Sequence, residues 1–239
     1  MPRFFVEDFE KTAKISGDDA RHISRSLRMK VGESLTVCDT KGVDYFCTIT
    51  SLSDDAVELE INTKRKTESE PTIDVTLFQC MPKGEKIESV VQKSVELGVH
   101  TIVPVISSRC ISRPDAKSGE KKVKRLNKIA AEAAKQSGRG ILPTVENITD
   151  FKSMVNRLKS YDLAVCFYEL YGEPLRTLIG NHKKIAIIIG SEGGFSVDEI
   201  ETLKSEGVKI ATLGKRILRT ETAPLAALTS IMLLSGNLE

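Results

Sequence analysis

The sequence has no tryptophan, and phenylalanine and tyrosine make up only 5% of its 239 residues. Its core must therefore rest on aliphatic side chains. The three histidines, at positions 22, 100 and 182, are too far apart to make a metal-ligand pattern. Five cysteines (Cys38, Cys47, Cys80, Cys110 and Cys166) are odd in number, and no C-x-x-C occurs. That argues against a disulfide framework and against a zinc site, and it points to a reducing, cytoplasmic setting. No run of about 18 apolar residues is present, so no membrane-spanning helix and no membrane partner are expected. The opening MPRFFVEDFE lacks a signal-peptide h-region.

Apolar residues make up 40% of the chain and charged residues 28%, the balance of a globular protein. The net charge of +2 hides an asymmetry. Residues 109–139 hold ten Lys/Arg against three Asp/Glu, and RHISRSLRMK (21–30) holds four basic residues and no acid. One such cluster can be a solvated helix face. Two in a near-neutral chain point to a polyanion partner.

The polar stretch TKRKTESEPT (63–72) reads as a linker. Before it, LTVCD, DYFCTITSL and AVELEIN are strand-like runs separated by turn signals, so residues 1–66 read as a small, mostly β, barrel-like domain. A helix over about 17–29 interrupts it. On that helix Arg21, Arg25 and Arg28 fall at i, i+4 and i+7, sharing one face over about 10 Å, a spacing suited to phosphates. From residue 72 to 239 strands and helices alternate: IDVTLFQCM, TIVPVIS, DLAVCF, KIAIIIG and VKIATLG are strands. The expected class is α/β, with a parallel sheet covered by helices. The last helix starts near Pro224 and is apolar almost all round, which fits full burial or a subunit interface.

In an open parallel sheet, ligands bind beyond the C-terminal strand ends. FYELYGEP (167–174), GSEGGF (190–195) and LGKRILRTETAP (213–224) all hold that position. Neither a Walker A loop nor a Rossmann fingerprint is present, and Glu192 would repel a phosphate. The glycines fit close backbone approach to a flat or cationic ligand, or a tight turn before the helix capped by Ser196 and Glu199.

Taken together, IGSEGGFSVDEIE and TLGKRILRTETAPLAAL resemble the signature of the SPOUT-class methyltransferases, specifically the bacterial 16S ribosomal RNA (uracil-N3)-methyltransferase family. MPRFFV, RHISRSLRMKVGE, MPKGEKIESVVQKSVELGV and AAEAAKQSGR extend the likeness over essentially the whole chain. Ser191 stands where that resemblance leads one to expect proline. The resemblance implies a PUA-like RNA-binding domain (1–66), a trefoil-knotted methyltransferase domain (72–239) and a homodimer. It implies S-adenosylmethionine as methyl donor, no metal, and 16S rRNA as substrate, in the assembled small subunit.

Carried over residue by residue, the cofactor would meet Phe167, Tyr168, Glu169 and Leu170 in the first loop. In the second it would meet Ile189, Gly190, Glu192, Gly193 and Gly194, and in the third Leu213, Gly214, Ile217 and Leu218. Uracil N3 reacts as the deprotonated imide, which a cation near the carbonyls stabilises. Arg219 is the candidate cation, with Glu221 as base or as the residue orienting the arginine. Glu221 can equally be a helix N-terminal charge. Two other readings stay open here: a noncatalytic RNA-binding protein of the same fold, and a nucleotide-binding enzyme of the ordinary Rossmann kind.

Overall fold

The computed structural model describes residues 1–238. The chain forms two compact units, Met1–Glu70 with Ala134–Leu142, and Pro71–Ala133 with Pro143–Glu239.

The first unit contains β1 (Arg3–Phe5), α1 (Phe9–Thr12), β2 (Lys14–Ser16), α2 (Asp18–Arg21), β3 (Ser34–Cys38), β4 (Val43–Leu52) and β5 (Ala56–Lys66). The strands form one sheet in the order β1-β3-β4-β5-β2. Only the β1–β3 pair is parallel. Alternation sets the inner face: Val57 and Leu59 of β5 are buried while Glu58 and Glu60 are exposed. Register shifts at Phe46/Cys47 and Ile49/Ser51 break the β4–β5 ladder, and such bulges increase local twist. Phe4, Phe9, Ile15, Ile23, Leu35 and Ile49 fill the core.

The helix expected over 17–29 is shorter and changes character. After α2 the residues His22–Ser26 form a wider turn, in which Leu27 N–H bonds to His22 O at 2.9 Å, five residues back. Arg28 then takes a left-handed φ of 51°, outside any helix. The polar stretch read as a linker is also partly structured. β5 runs on through Lys66, with Asn62 to Lys66 all exposed, so no alternation marks it as a strand. Thr67 and Glu70 are tied inward: Thr67 Oγ1 donates to Asp44 at 2.7 Å, and Glu70 accepts two bonds from Arg139, each 2.9 Å. Through that fork residues 134–142 join the first unit, far from it in sequence.

The second unit runs β6 (Asp74–Cys80), α3 (Lys86–Glu96), β7 (Thr101–Ile106) and α4 (Ala116–Ser137), whose last turn belongs to the first unit. There follow β8 (Thr144–Val145), β9 (Thr149–Asp150), α5 (Phe151–Leu158), β10 (Leu163–Phe167), β11 (Glu173–Pro174), β12 (Lys184–Ile189), α6 (Val197–Ser205), β13 (Lys209–Thr212) and α7 (Ala223–Leu234). The main strand path is β11-β13-β10-β12-β6-β7-β8, and all pairs are parallel. The central strands are buried on both faces; Ile185 to Ile189 of β12 is a run of five buried residues. A reading by periodicity finds such runs but misses β8, β9 and β11, which have two residues each, and the eight-residue α5.

α3 stops at Gly98 (φ 92°) and α4 at Gly138 (φ 72°), a left-handed exit open to glycine. α6 begins with the capping box of Ser196 and Glu199 that the sequence spacing predicts. Glu199 Oε1 also accepts from Ser108 N–H at 2.7 Å, which anchors the start of α6 to the loop after β7.

Candidate active site

β10, β12 and β13 are neighbours and run parallel, so the loops that leave their C-terminal ends converge. They enclose a cavity of about 390 Å³. Phe167, Tyr168 and Glu169 line it from the first loop; Ile189, Gly190, Ser191, Glu192, Gly194 and Phe195 from the second; Leu213, Gly214 and Arg216 to Thr220 from the third. Lys86 and Ala223 complete the wall. Among the residues expected at a cofactor, Leu170 and Gly193 do not line the cavity, and Leu170 is 71% exposed.

The glycine loop is a tight turn. Gly194 N–H bonds to Ser191 O at 2.9 Å with φ +63° at Gly194, and serine at 191 permits it. A Cβ at Gly190 would lie 3.1 Å from Gly194 Cα, and one at Gly193 would lie 3.0 Å from Arg109 Cβ. At Gly194 it would meet Glu169 Oε1 at 3.0 Å. A side chain at Gly190 or Gly193 would thus crowd the loop's own backbone or Arg109, while at Gly194 the positive φ is what favours glycine.

Thr220 fastens the third loop both to the second and to β6. Thr220 Oγ1 donates to Gly190 O at 2.8 Å and accepts from Gln79 Nε2 at 3.1 Å. Glu192 is fastened to the start of α3: it accepts from Lys83 N–H at 3.2 Å and from Lys86 Nζ at 3.0 Å. Burial pushes the Glu192 carboxyl up. Hydrogen bonds from its own backbone, from Lys86 and from Lys83 N–H outweigh that and hold it below the ordinary carboxylate range.

Lys86 Nζ also lies 3.3 Å from Glu221 Oε2, an atom that is itself buried. The hydrogen bond to Glu192, with help from Glu221, raises the Lys86 ammonium above its ordinary value despite desolvation. Glu221 therefore meets Lys86, and no ion pair joins it to Arg219 among the described residues. It is not among the described residues that line the cavity, and it contacts Lys86, which does. Arg219 lines the cavity and is exposed, while its carbonyl accepts the Thr222 and Ala223 N–H groups at the start of α7.

The other expected site residues lie in the first unit. Arg21 pairs with Asp18 and lies 3.8 Å from Asp55, and Arg25 pairs with Asp54 at 2.6 Å. With Arg28 off the helix, the three arginines do not form the single row that α-helical spacing predicts. No group of side chains suited to a metal ion occurs among the described residues, nor any helix long and apolar enough to cross a membrane. Lys86 and Gln79 escaped the sequence reading, because β6 and α3 lie over a hundred residues before the loops they hold; Thr220 lies in a loop the sequence reading found, but no local pattern marks it.

A profile of the RNA methyltransferase domain matches residues 68–232, and one of the RNA methyltransferase PUA domain matches residues 15–62. Ribosomal RNA small subunit methyltransferase E of Bacillus subtilis is 34% identical over 97% of this chain and 96% of its own length. The chain belongs to the ribosomal RNA small subunit methyltransferase E family. A crystal structure of the methyltransferase E of Neisseria gonorrhoeae, bound to S-adenosyl methionine, is 33% identical with a TM-score of 0.90, covering 98% of both chains. A methyltransferase from Legionella pneumophila, also with that cofactor, is 29% identical with a TM-score of 0.89, covering 98% of this chain and 97% of its own. The methyltransferase E fold thus accounts for the parallel-sheet unit and for the PUA-like sheet of the first.

Proposed function

We propose that this chain transfers a methyl group from S-adenosylmethionine to N3 of a uridine in 16S rRNA, acting in the cytoplasm on the assembled small ribosomal subunit. The observation that carries this reading is the cavity between the three loops at the ends of β10, β12 and β13. At about 390 Å³ it falls within the size range of small-ligand sites. Its wall is largely apolar, with Phe167, Ile189, Phe195, Leu213 and Leu218 beside the carboxylates of Glu169 and Glu192. Apolar walls suit a nucleoside and the exposed Glu169 carboxylate suits a sulfonium cation, while Lys86, Arg216 and Arg219 place positive charge on the same wall.

When bound, the cofactor supplies an electrophilic methyl group. The chain's own residues do the rest. The apolar wall excludes water, and the loops joined by Thr220 and Gln79 fix the geometry of approach. Arg219 holds positive charge where the uracil carbonyls gain negative charge as the imide loses its proton. Glu221, beside Lys86, sets the charge behind that wall. A trefoil-knotted course, which the family resemblance implies, is part of this reading. So is a homodimer, supported by Leu233 and Leu234 of α7, which are exposed.

The test is methyl transfer from labelled S-adenosylmethionine to small subunits from cells lacking the protein, with the rRNA nucleosides resolved by mass spectrometry. 3-Methyluridine should appear, and Arg219→Lys should slow single-turnover transfer while leaving cofactor affinity unchanged, because lysine keeps the charge and loses the planar fork. RNA binding without transfer would assign the chain to the noncatalytic reading.

A further inference from the structure

The basic run 109–139 separates into bonded side chains and one unpaired row. Arg109 donates to Gly193 O, Arg113 to Ser107 O, Lys122 to Gly84 O and Arg125 to Glu88; Lys135 pairs with Asp19 and Arg139 with Glu70. Lys117, Lys121, Lys124 and Lys128 remain. All four are exposed, and none has an ion-pair partner among the described residues. Spacings of four, three and four residues put them on one line of α4, about 16 Å from first to last. The line lies opposite the buried side formed by Val123, Leu126 and Ala130.

We propose that this row of lysines is a docking ridge for the RNA backbone; the proposal rests on the reading of the chain as an rRNA methyltransferase. Helix energetics do not explain the row. Asp115 caps α4 through Ser118 N–H at 2.8 Å, but the first turn contains Lys117 and no acid. The helix dipole favours the reverse there, and α6 obeys it with Asp198 and Glu199 in its first turn. The acidic residues of α4, Glu120 and Glu132, fall to either side of the line by helical spacing.

A regular row with no apolar residue in it offers charge without sequence readout, which is how phosphates are held. The ridge also has the right neighbour. On its flank Lys122 bonds to Gly84 O at 3.4 Å and Arg125 to Glu88 at 2.8 Å, at the start of α3. Lys86 in that same turn lines the cavity. A strand tracked along α4 therefore passes beside the place where its base must enter. Arg21 and Arg25, by contrast, are already matched by aspartates.

The experiment measures binding of the full chain to a 16S rRNA transcript over a salt series. The variant replaces Lys117, Lys121, Lys124 and Lys128 with Gln, and a second replaces all four with Arg. Each phosphate neutralised adds about 0.7 to 0.9 to the slope of log K against log salt, so the Gln variant should lose about three in slope. The Arg variant should keep the wild-type slope. Melting temperature and S-adenosylmethionine affinity should match wild type in both. A wild-type slope in the Gln variant, at wild-type affinity, would overturn the ridge and leave the functional reading standing. Wild-type protein that binds neither cofactor nor RNA would remove both.

Discussion

Gln79 Nε2 donates to Thr220 Oγ1 at 3.1 Å, and Thr220 Oγ1 in turn donates to Gly190 O at 2.8 Å. Both side chains are buried. A central strand, the glycine loop and the loop before α7 are thereby joined through one hydroxyl. Thr220→Val keeps the shape and removes that hydroxyl, so Gly190 O keeps only the longer 3.4 Å bond from Gln79 Nε2, and Gln79 loses its 3.1 Å acceptor. Unmade buried hydrogen bonds cost about 1–3 kcal/mol each. Chemical denaturation should show a loss of that order, and calorimetry a weaker S-adenosylmethionine affinity. Unchanged affinity in a folded variant would mean that the loops need no such tie.

Gly194 tests the turn. Its φ of +63° is disfavoured for residues with a Cβ, at about 1–2 kcal/mol. Gly194→Ala should lose about that much stability by thermal melting, since the Glu169 side chain it would meet is exposed and can swing aside. Gly194→Val should lose more, because β-branched residues are rarer still at positive φ. Cofactor affinity should fall in the same order. Wild-type melting in the alanine variant would show that the loop adopts another turn.

The Lys86–Glu192 tie should hold over a wide pH range. Glu192 has a folded-state pKa below the ordinary carboxylate value, so its stabilisation is present above that value and lost as pH falls through the lower folded one. Lys86 is raised above 10.5, so its part is present below that value and lost as pH rises through the higher one. Between about pH 5 and pH 10 cofactor affinity should therefore be flat as far as this tie is concerned. Lys86→Met leaves the Glu192 and Glu221 carboxylates facing each other without their shared cation, and one must then take up a proton more readily. The variant should bind cofactor weakly at pH 8 and recover as pH falls towards 5.5. Adding Glu221→Gln should relieve the weakness at pH 8. A variant affinity independent of pH would contradict the clamp.

Arg139 is a stability residue of the first unit. Its side chain is 3% exposed and forks onto Glu70, whose Oε1 also accepts Gly140 N–H at 2.6 Å. Breaking one partner of such a buried pair costs about 3–5 kcal/mol. Arg139→Ala should destabilise the protein by that order in denaturant, and hydrogen exchange in β1 and β3 should quicken. A loss under 1 kcal/mol, the range of an exposed pair, would show that the fork is open to water.

Much of the methyltransferase unit was legible in the sequence because its signals are local. A buried parallel strand is a short β-branched run, as in Ile185–Ile189, and a helix start is a capping box, as at Ser196 and Glu199. The three loops were found because each follows such a strand, and the family likeness supplied what they hold. Tertiary structure alone decided three other things. It decided that Lys86 and Gln79 serve the site, since side chains meet there across a hundred residues or more. It assigned residues 134–142 to the first unit, because the Arg139–Glu70 pair is a contact and not a pattern. It also took Arg21, Arg25 and Arg28 out of register and left four lysines of α4 in line. Helical spacing holds along α4, where buried Val123, Leu126 and Ala130 keep the helix regular, and fails over 21–28, where a wider turn and a left-handed residue end it.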